Sequence, residues 1–279
     1  MRFEGEIMNK QMKNGIVYYT FSHIEATGLV DHCFTTRIGG VSTGHFSCLN
    51  MGLHREDKPE NVRQNYEKVC AALNFDIDKI VVTDQYHTTN IHIATSDDCG
   101  FDFFAERKLT HIDGLITNTP SLVLNTYYAD CVPLLFLDPK NRAIANCHAG
   151  WRGSAQDMAG KTVRRLQQEF GTNPAELLVG IGPSISMANF EIGKDVVDEF
   201  TMLHTFADKY LSPSYSKADK WQLDLWGINF QLLLNAGVSP ENIEIAELCT
   251  YADSELFYSH RRDGLKRGAM VSLIALRGK

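Results

Sequence analysis

Long apolar runs are missing from this 279-residue chain: stretches such as Val132 to Leu137 are far shorter than the roughly 18–20 apolar residues that cross a bilayer. A membrane protein is not expected. No apolar leader of signal-peptide form opens the sequence. Disulfide patterning is missing as well, since the seven cysteines (33, 48, 70, 99, 131, 147 and 249) form an odd set without a repeated spacing. Reduced thiols and a cytoplasmic location are the resulting expectation. Positive charge is not in excess: 27 Lys and Arg stand against 34 Asp and Glu, for a net charge of -7. A nucleic-acid partner is therefore not expected, and a small-molecule substrate suits the chain better than a polymer. No Gly-x-Gly-x-x-Gly follows the first strand, which disfavours a doubly wound dinucleotide fold. Internal repeats, heptads and low-complexity tracts are also lacking.

What is there is an ordinary globular composition, 44% apolar and 22% charged, expected to form one domain over residues 1–279. Residues 58–74 place Val62, Tyr66, Val69, Cys70 and Leu73 at spacings of three and four behind Pro59, the pattern of an amphipathic helix. A second helix is expected after Gly153, with Ser154 and Asp157 resembling a capping box and Gly171 stopping it. Further helices are expected at about 193–207 and 225–236. Strands are expected at Ile80–Thr83, Ile91–Thr95, Gly114–Thr117, Leu122–Thr126, Leu134–Leu137, Ala143–Cys147, Leu177–Ile181, Ile243–Ala246 and Val271–Leu276. Strands dominate the middle without regular alternation with helices, so the predicted class is α+β with mixed sheets flanked by helices. Ser212 to Lys217 reads as a surface loop.

Chemistry is suggested where polar residues interrupt apolar stretches. Cys131 and His148 do so, and His87 follows another strand-like run; thiolate and imidazole are ligand types that zinc favours, and three ligands leave its fourth position open. The three are 44 and 17 residues apart, so tertiary structure would have to bring them together. The alternative is that each is simply packed beside a strand. After His148, Gly150 and Gly153 free the backbone, and the helix opened by Ser154 would turn its N–H groups toward an anion, with Arg152 adding charge. The same letters fit a glycine turn with Trp151 in the core. In the amino-terminal segment, Gly39-Gly40 permits close approach, Arg37 offers a planar cation, Phe46 a stacking face and Asn50 an amide suited to a purine edge. The segment Phe257 to Gly264, with Arg262, repeats the aromatic-plus-arginine theme. Either segment could instead be a hairpin with a basic rim. His32, His45, His54 and His111 are given no metal role.

His32-Cys33-Phe34-Thr35-Thr36-Arg37 with Gly39-Gly40-Val41-Ser42, then Asp84-Gln85-Tyr86-His87, Ala129-Asp130-Cys131-Val132-Pro133, Asn146-Cys147-His148-Ala149-Gly150-Trp151-Arg152-Gly153 and Gly180-Ile181-Gly182-Pro183-Ser184-Ile185 together resemble the YfiH/YlmD family. Its members are also called laccase-domain or multi-copper polyphenol oxidase-like proteins, and the resemblance spans roughly residues 16–276 in order. The resemblance implies an α+β fold like that of cysteine hydrolases with a Cys-His pair. It also implies a zinc site of His87, Cys131 and His148, and phosphorolysis of adenosine, inosine and methylthioadenosine to free base and (methylthio)ribose 1-phosphate, with adenosine deaminase activity beside it. One departure is Thr88, where members commonly carry glycine or another small residue.

Rival expectations remain at this stage. Multicopper oxidation of phenols needs many histidines, largely as His-x-His pairs, and none of the ten histidines forms one; a single copper in a His-His-Cys site is chemically reasonable. A metal-free hydrolase or amidase would use Cys131 as nucleophile and His148 as base. A non-catalytic protein with a structural zinc would need four saturated ligands.

Overall fold

A computed structural model describes residues 8–53, 56–100 and 108–278; His54 lies outside the described residues. In chain order the first strands are β1 (Asn9–Lys13), β2 (Ile16–Thr20), β3 (Val30–Thr35), β4 (Ile80–Val82), β5 (Ile91–Ile93), β6 (Gly114–Thr117) and β7 (Val123–Tyr128). They are followed by β8 (Val132–Asp138), β9 (Ala143–Ala149), β10 (Leu178–Ile181), β11 (Glu191–Ile192), β12 (Leu211–Pro213), β13 (Trp221–Leu223), β14 (Ile243–Ile245) and β15 (Met270–Leu276). The helices are α1 (Ser22–Glu25), α2 (Pro59–Leu73), α3 (Trp151–Ala155), α4 (Met158–Phe170), α5 (Lys194–Leu203), α6 (Leu225–Asn235) and α7 (His260–Asp263).

Two six-stranded sheets, ordered β1-β2-β3-β15-β7-β4 and β14-β10-β8-β9-β6-β5, form the frame, with a small third sheet, β11-β13-β12. Both large sheets are mixed: β4 runs parallel to β7, β5 to β6 and β10 to β14, amid antiparallel neighbours. The α+β expectation with mixed sheets holds.

Alternation along the strands explains the layering. On β8, Leu135 and Leu137 join the core that also holds Phe34, Leu124 and Ile274 of the first sheet, whereas Leu134 and Phe136 join a core with Met158, Val163 and Leu166 of α4. On β15, Leu273 turns the other way, toward Val62, Tyr66 and Val69 of α2. Each sheet is thus apolar on both faces, which requires helices outside and the other sheet inside.

One polar cluster lies in the contact between the sheets. Thr126 Oγ1 donates to Asn146 Oδ1 at 2.7 Å, Ser272 Oγ reaches the same oxygen at 2.5 Å, and Asn146 Nδ2 donates to the carbonyls of Leu124 and Ser272, both at 2.9 Å. Because a one-residue slip would strand these buried groups at a cost of about 1–3 kcal/mol each, the cluster fixes the register of one sheet on the other.

The expected elements appear with local corrections. The 58–74 helix is α2, ended by Asn74 in the left-handed region (φ 57°). The helix after Gly153 divides into α3, which starts at Trp151 with Gly150 as its N-cap, and α4. Ser154 is therefore inside a short helix, its hydroxyl bonded to the Ala149 carbonyl at 3.4 Å, and Asp157 alone caps α4 by accepting from Gly160 N at 2.9 Å. Ser212 and Pro213, read as loop, belong to β12 and pair with Gln222 and Trp221. Glu191 then anchors the connection by accepting from Ser214 Oγ at 2.7 Å and Ser216 Oγ at 2.9 Å. All seven cysteines are free of disulfides, and among the described residues no helix is long and apolar enough to cross a membrane.

Candidate metal centre

One end of the sandwich collects chain from both sheets. After β7 the chain leaves the first sheet, turns through Ala129-Asp130-Cys131 and enters β8 of the second. Asp130 makes the corner at φ 89°, a conformation costly for a side-chain-bearing residue, and its buried carboxylate holds it there. Thr250 Oγ1 donates to it at 2.7 Å, Ser259 Oγ at 2.9 Å and Arg261 N at 2.7 Å. Asp130 thus ties two later segments, around Thr250 and at the start of α7, beside Cys131.

His148 is near the end of β9, opposite Pro133 of β8, on the strand face that looks toward the other sheet. His87 lies in the loop after β4 at φ 60°, again in the left-handed region. These residues, far apart in the chain, converge: one ligand atom from each of His87, Cys131 and His148 lies within 4.8 Å of the others. Cys131 Sγ and His87 Nε2 are 3.7 Å apart, and the two imidazoles meet edge to face with centroids 4.9 Å apart.

Asp113, just before β6, orders this group. Its carboxylate meets His148 Nδ1 at 2.8 Å and accepts from the backbone N–H groups of Tyr86, His87 and Thr88 at 3.2, 3.0 and 2.8 Å. Sequence reading missed it; the available signal was an acid placed immediately ahead of the apolar run from Gly114. Gly150 is a second residue whose role was missed. A Cβ there would come within 2.7 Å of His87 Cδ2 and 3.0 Å of Cys131 Sγ, so glycine is what lets His87 and Cys131 approach each other.

Electrostatics reinforce the geometry. Burial opposes ionisation of Cys131, but the facing His148 and His87 imidazoles overcome it and bring the thiol down to about 6. Burial likewise opposes charge on His148, yet the Cys131 sulfur and the Asp113 carboxylate push it up to about 10. Burial would raise Asp113, and its bonds to His148 and Thr88 hold it below the usual carboxylate range instead. Sulfur and ring thus each favour the charged form of the other.

The donor set fits zinc. Tetrahedral zinc with ligand bonds of about 2.0–2.3 Å separates neighbouring ligand atoms by about 3.5 Å, close to the 3.7 Å between sulfur and imidazole. The Asp113 carboxylate occupies Nδ1 of His148 and leaves Nε2 as its free ring nitrogen, the arrangement by which metal-binding histidines are oriented.

All three candidate ligands line a cavity of about 660 Å³ whose wall also includes Trp151, Arg152, Ile185, Phe190 and Arg261. Of the residues expected to contact substrate, only Arg152 is in that wall, its guanidinium 4.1 Å from the Trp151 ring centroid. Arg37, Phe46, Asn50 and Arg262 are not part of it, and their polar groups are engaged elsewhere. Arg37 donates to the carbonyls of Ser47 and Ser254, and its guanidinium lies over the Tyr258 ring. The Phe46 carbonyl accepts from Tyr258 Oη at 2.5 Å. Asn50 is fully buried, bonded to Gly52, Asp57 and Ala269. Arg262 serves the carbonyls of Thr250, Tyr251 and Phe257 and the Asp263 carboxylate. Arg261, which sequence reading passed over, is the arginine of that segment that reaches the cavity. The helix start expected to receive an anion belongs to α3, only five residues long.

A family model described as multi-copper polyphenol oxidoreductase laccase matches residues 31–277. The purine nucleoside phosphorylase YlmD of Bacillus subtilis is 36% identical over 247 residues, 88% of this chain and 87% of its own length. The purine nucleoside phosphorylase YfiH of Escherichia coli is 34% identical, covering 88% and 93%. Among solved structures, the Bacillus licheniformis hypothetical protein YfiH superposes with a TM-score of 0.89 at 35% identity, covering 98% of this chain and all of that one, and YlmD of Geobacillus stearothermophilus with 0.86 at 31%, with the same coverage.

Proposed function

The chain belongs to the laccase-domain family that includes YfiH and YlmD, and from that premise we propose that it is a zinc-dependent purine nucleoside phosphorylase with adenosine deaminase activity. The observation that carries this reading is a trio of two imidazoles and one thiolate in the wall of a nucleoside-sized cavity that also presents Arg152 and Arg261.

His87, Cys131 and His148 would hold the ion, which when bound supplies Lewis-acid polarisation of an oxygen beside it. The chain's own groups account for the rest. Arg152 and Arg261 present guanidinium groups suited to inorganic phosphate. The phosphate oxygen would attack C1′ of the ribose as the bond from C1′ to the purine nitrogen breaks; its electron pair leaves with the purine, which takes up the proton given up by the hydrogen phosphate, so that free base and ribose 1-phosphate are released. Phe190, Ile185 and Leu225 give the wall an apolar face that excludes water from one side of the nucleoside. A small apolar 5′ substituent, as in methylthioadenosine, suits the same wall alongside adenosine and inosine. Deamination would exchange the 6-amino group for an oxygen from water and release ammonia.

Incubating the protein with inosine or adenosine, with and without phosphate, and measuring base, ribose 1-phosphate and ammonia tests the proposal. Base release should require phosphate and yield equimolar ribose 1-phosphate; equal release without phosphate rules out phosphorolysis.

A second reading draws on one specific observation: Cys131, His148 and Asp113 form a thiol–imidazole–carboxylate series like that of a cysteine hydrolase, the fold type implied by the family resemblance. Activity that survives a strong chelator but is lost on alkylation of Cys131 would favour it. For the multi-copper description the ligands are too few, because among the described residues this trio is the one group of three suited to a metal.

A further inference from the structure

We propose that Asp113 is the positioning residue that assembles the metal site, by holding two of its three ligands, from two separate segments, on one carboxylate. The inference rests on the zinc reading above and adds to it the group that sets the affinity.

Five donors converge on this one side chain. Oδ1 takes the His87 N–H at 3.0 Å and faces His148 Nδ1 at 2.8 Å. Oδ2 takes the Tyr86 N–H at 3.2 Å, the Thr88 N–H at 2.8 Å and the Thr88 hydroxyl at 2.8 Å. The main-chain carbonyl of Asp113 also accepts the His148 N–H at 2.7 Å, so His148 is held at ring and backbone by one residue.

Each contact has a separate consequence. An ionised carboxylate only accepts, so the proton of His148 must stay on Nδ1 and the lone pair of Nε2 is left for the ion. His87 sits at φ 60°, a backbone state that costs a non-glycine residue about 1–3 kcal/mol and persists only where its surroundings enforce it. Three consecutive amides bound to a single carboxylate supply that enforcement. Asp113 has no exposed surface, so water cannot substitute for the bonds it makes.

An amide is a poor replacement. In Asp113→Asn one oxygen still accepts, but the NH2 group confronts an N–H of the 86–88 loop or of the imidazole, and one ligand loses its orientation. Zinc affinity, read by competition with a chromophoric chelator, should fall about 10–100-fold. Amide exchange at residues 86–88 should accelerate, while circular dichroism stays that of the wild type. In zinc-loaded wild type, 15N NMR should find the His148 ring proton on Nδ1.

Equal affinity in Asp113→Asn and wild type, or a ring proton on Nε2, overturns the inference. If Asp113→Asn does not fold, Thr88→Val takes a hydroxyl away from the same carboxylate at a part-exposed position, together with that hydroxyl's bonds to the His111 carbonyl and the Asn90 N–H. It should weaken zinc by a few-fold, and unchanged affinity there counts equally against the role. A wild-type chain that takes up no zinc sinks the metal-dependent reading and this one together; zinc uptake by both chains with equal tightness sinks this one alone.

Discussion

Around Cys131 polar side chains turn toward a cavity, and around Arg37 and Asn50 they turn back on their own chain. His87, Cys131 and His148 bring ligand atoms within 4.8 Å of one another and keep them at the cavity wall. Arg37 spends all three guanidinium nitrogens on the carbonyls of Ser47 and Ser254, and Asn50 uses both ends of its amide on Gly52, Asp57 and Ala269. Both regions contain glycine, polar and charged residues beside apolar strands. What separates them is leftover bonding capacity: a group whose donors and acceptors are consumed by the fold stabilises it, and a group held in place by others, with a face to spare, can meet a ligand.

The largest expected effect tests the cavity side. Cys131→Ser replaces a soft thiolate with a hydroxyl that zinc binds poorly, and phosphate-dependent turnover should fall by roughly 10³-fold, with bound zinc lost and the melting temperature in chelator nearly unchanged. Retained turnover with full zinc would mean that the sulfur is a bystander. Asn50→Ala tests the other side. It strands the buried N–H groups of Gly52 and Ala269 and should cost about 3 kcal/mol in denaturant unfolding, with kcat/KM of the folded fraction within two-fold of wild type. A raised KM without lost stability would instead return Asn50 to the substrate-binding role its amide suggested.

Much of the frame was legible because periodicity is local. All nine expected strand runs became strands, and Pro59, Val62, Tyr66 and Val69 marked α2. β1, β2 and β3 were missed for physical reasons: β1 is a polar edge strand, Asn9 to Lys13, while β2 is buried at every position and β3 at all but Asp31, so neither shows a two-residue period. The candidate ligands stood out because thiol and imidazole interrupt apolar runs. Asp113 did not, because its partners lie 25 to 35 residues away and an aspartate before a glycine is usually a turn. Arg261 and Arg262 are adjacent and chemically equal in sequence; only the fold sends one to the cavity and the other to the carbonyls of Thr250, Tyr251 and Phe257.

The smallest expected effect compares two buried histidines. His148 faces a carboxylate and a sulfur and is pushed up to about 10, whereas His32 accepts the Phe21 N–H on Nε2 at 2.8 Å and lies stacked on the Phe21 ring. Burial, which penalises the charged ring, holds His32 down to about 4 against an ordinary value of 6.5, and a proton on Nε2 would set donor against the Phe21 donor. Between those values the unfolded chain binds a proton that the folded chain refuses, so stability must fall as pH drops from about 6.5 toward about 4 and be flat above. From pH 7 to 5.5 the loss due to His32 should be about 1 kcal/mol. His32→Gln keeps an acceptor for Phe21 and has no proton to gain, so comparing urea unfolding of the two chains across that interval isolates the contribution even if the variant is uniformly weaker. Identical slopes would mean that His32 takes up its proton in the folded state without penalty, and that burial beside an amide donor does not distinguish it from His148.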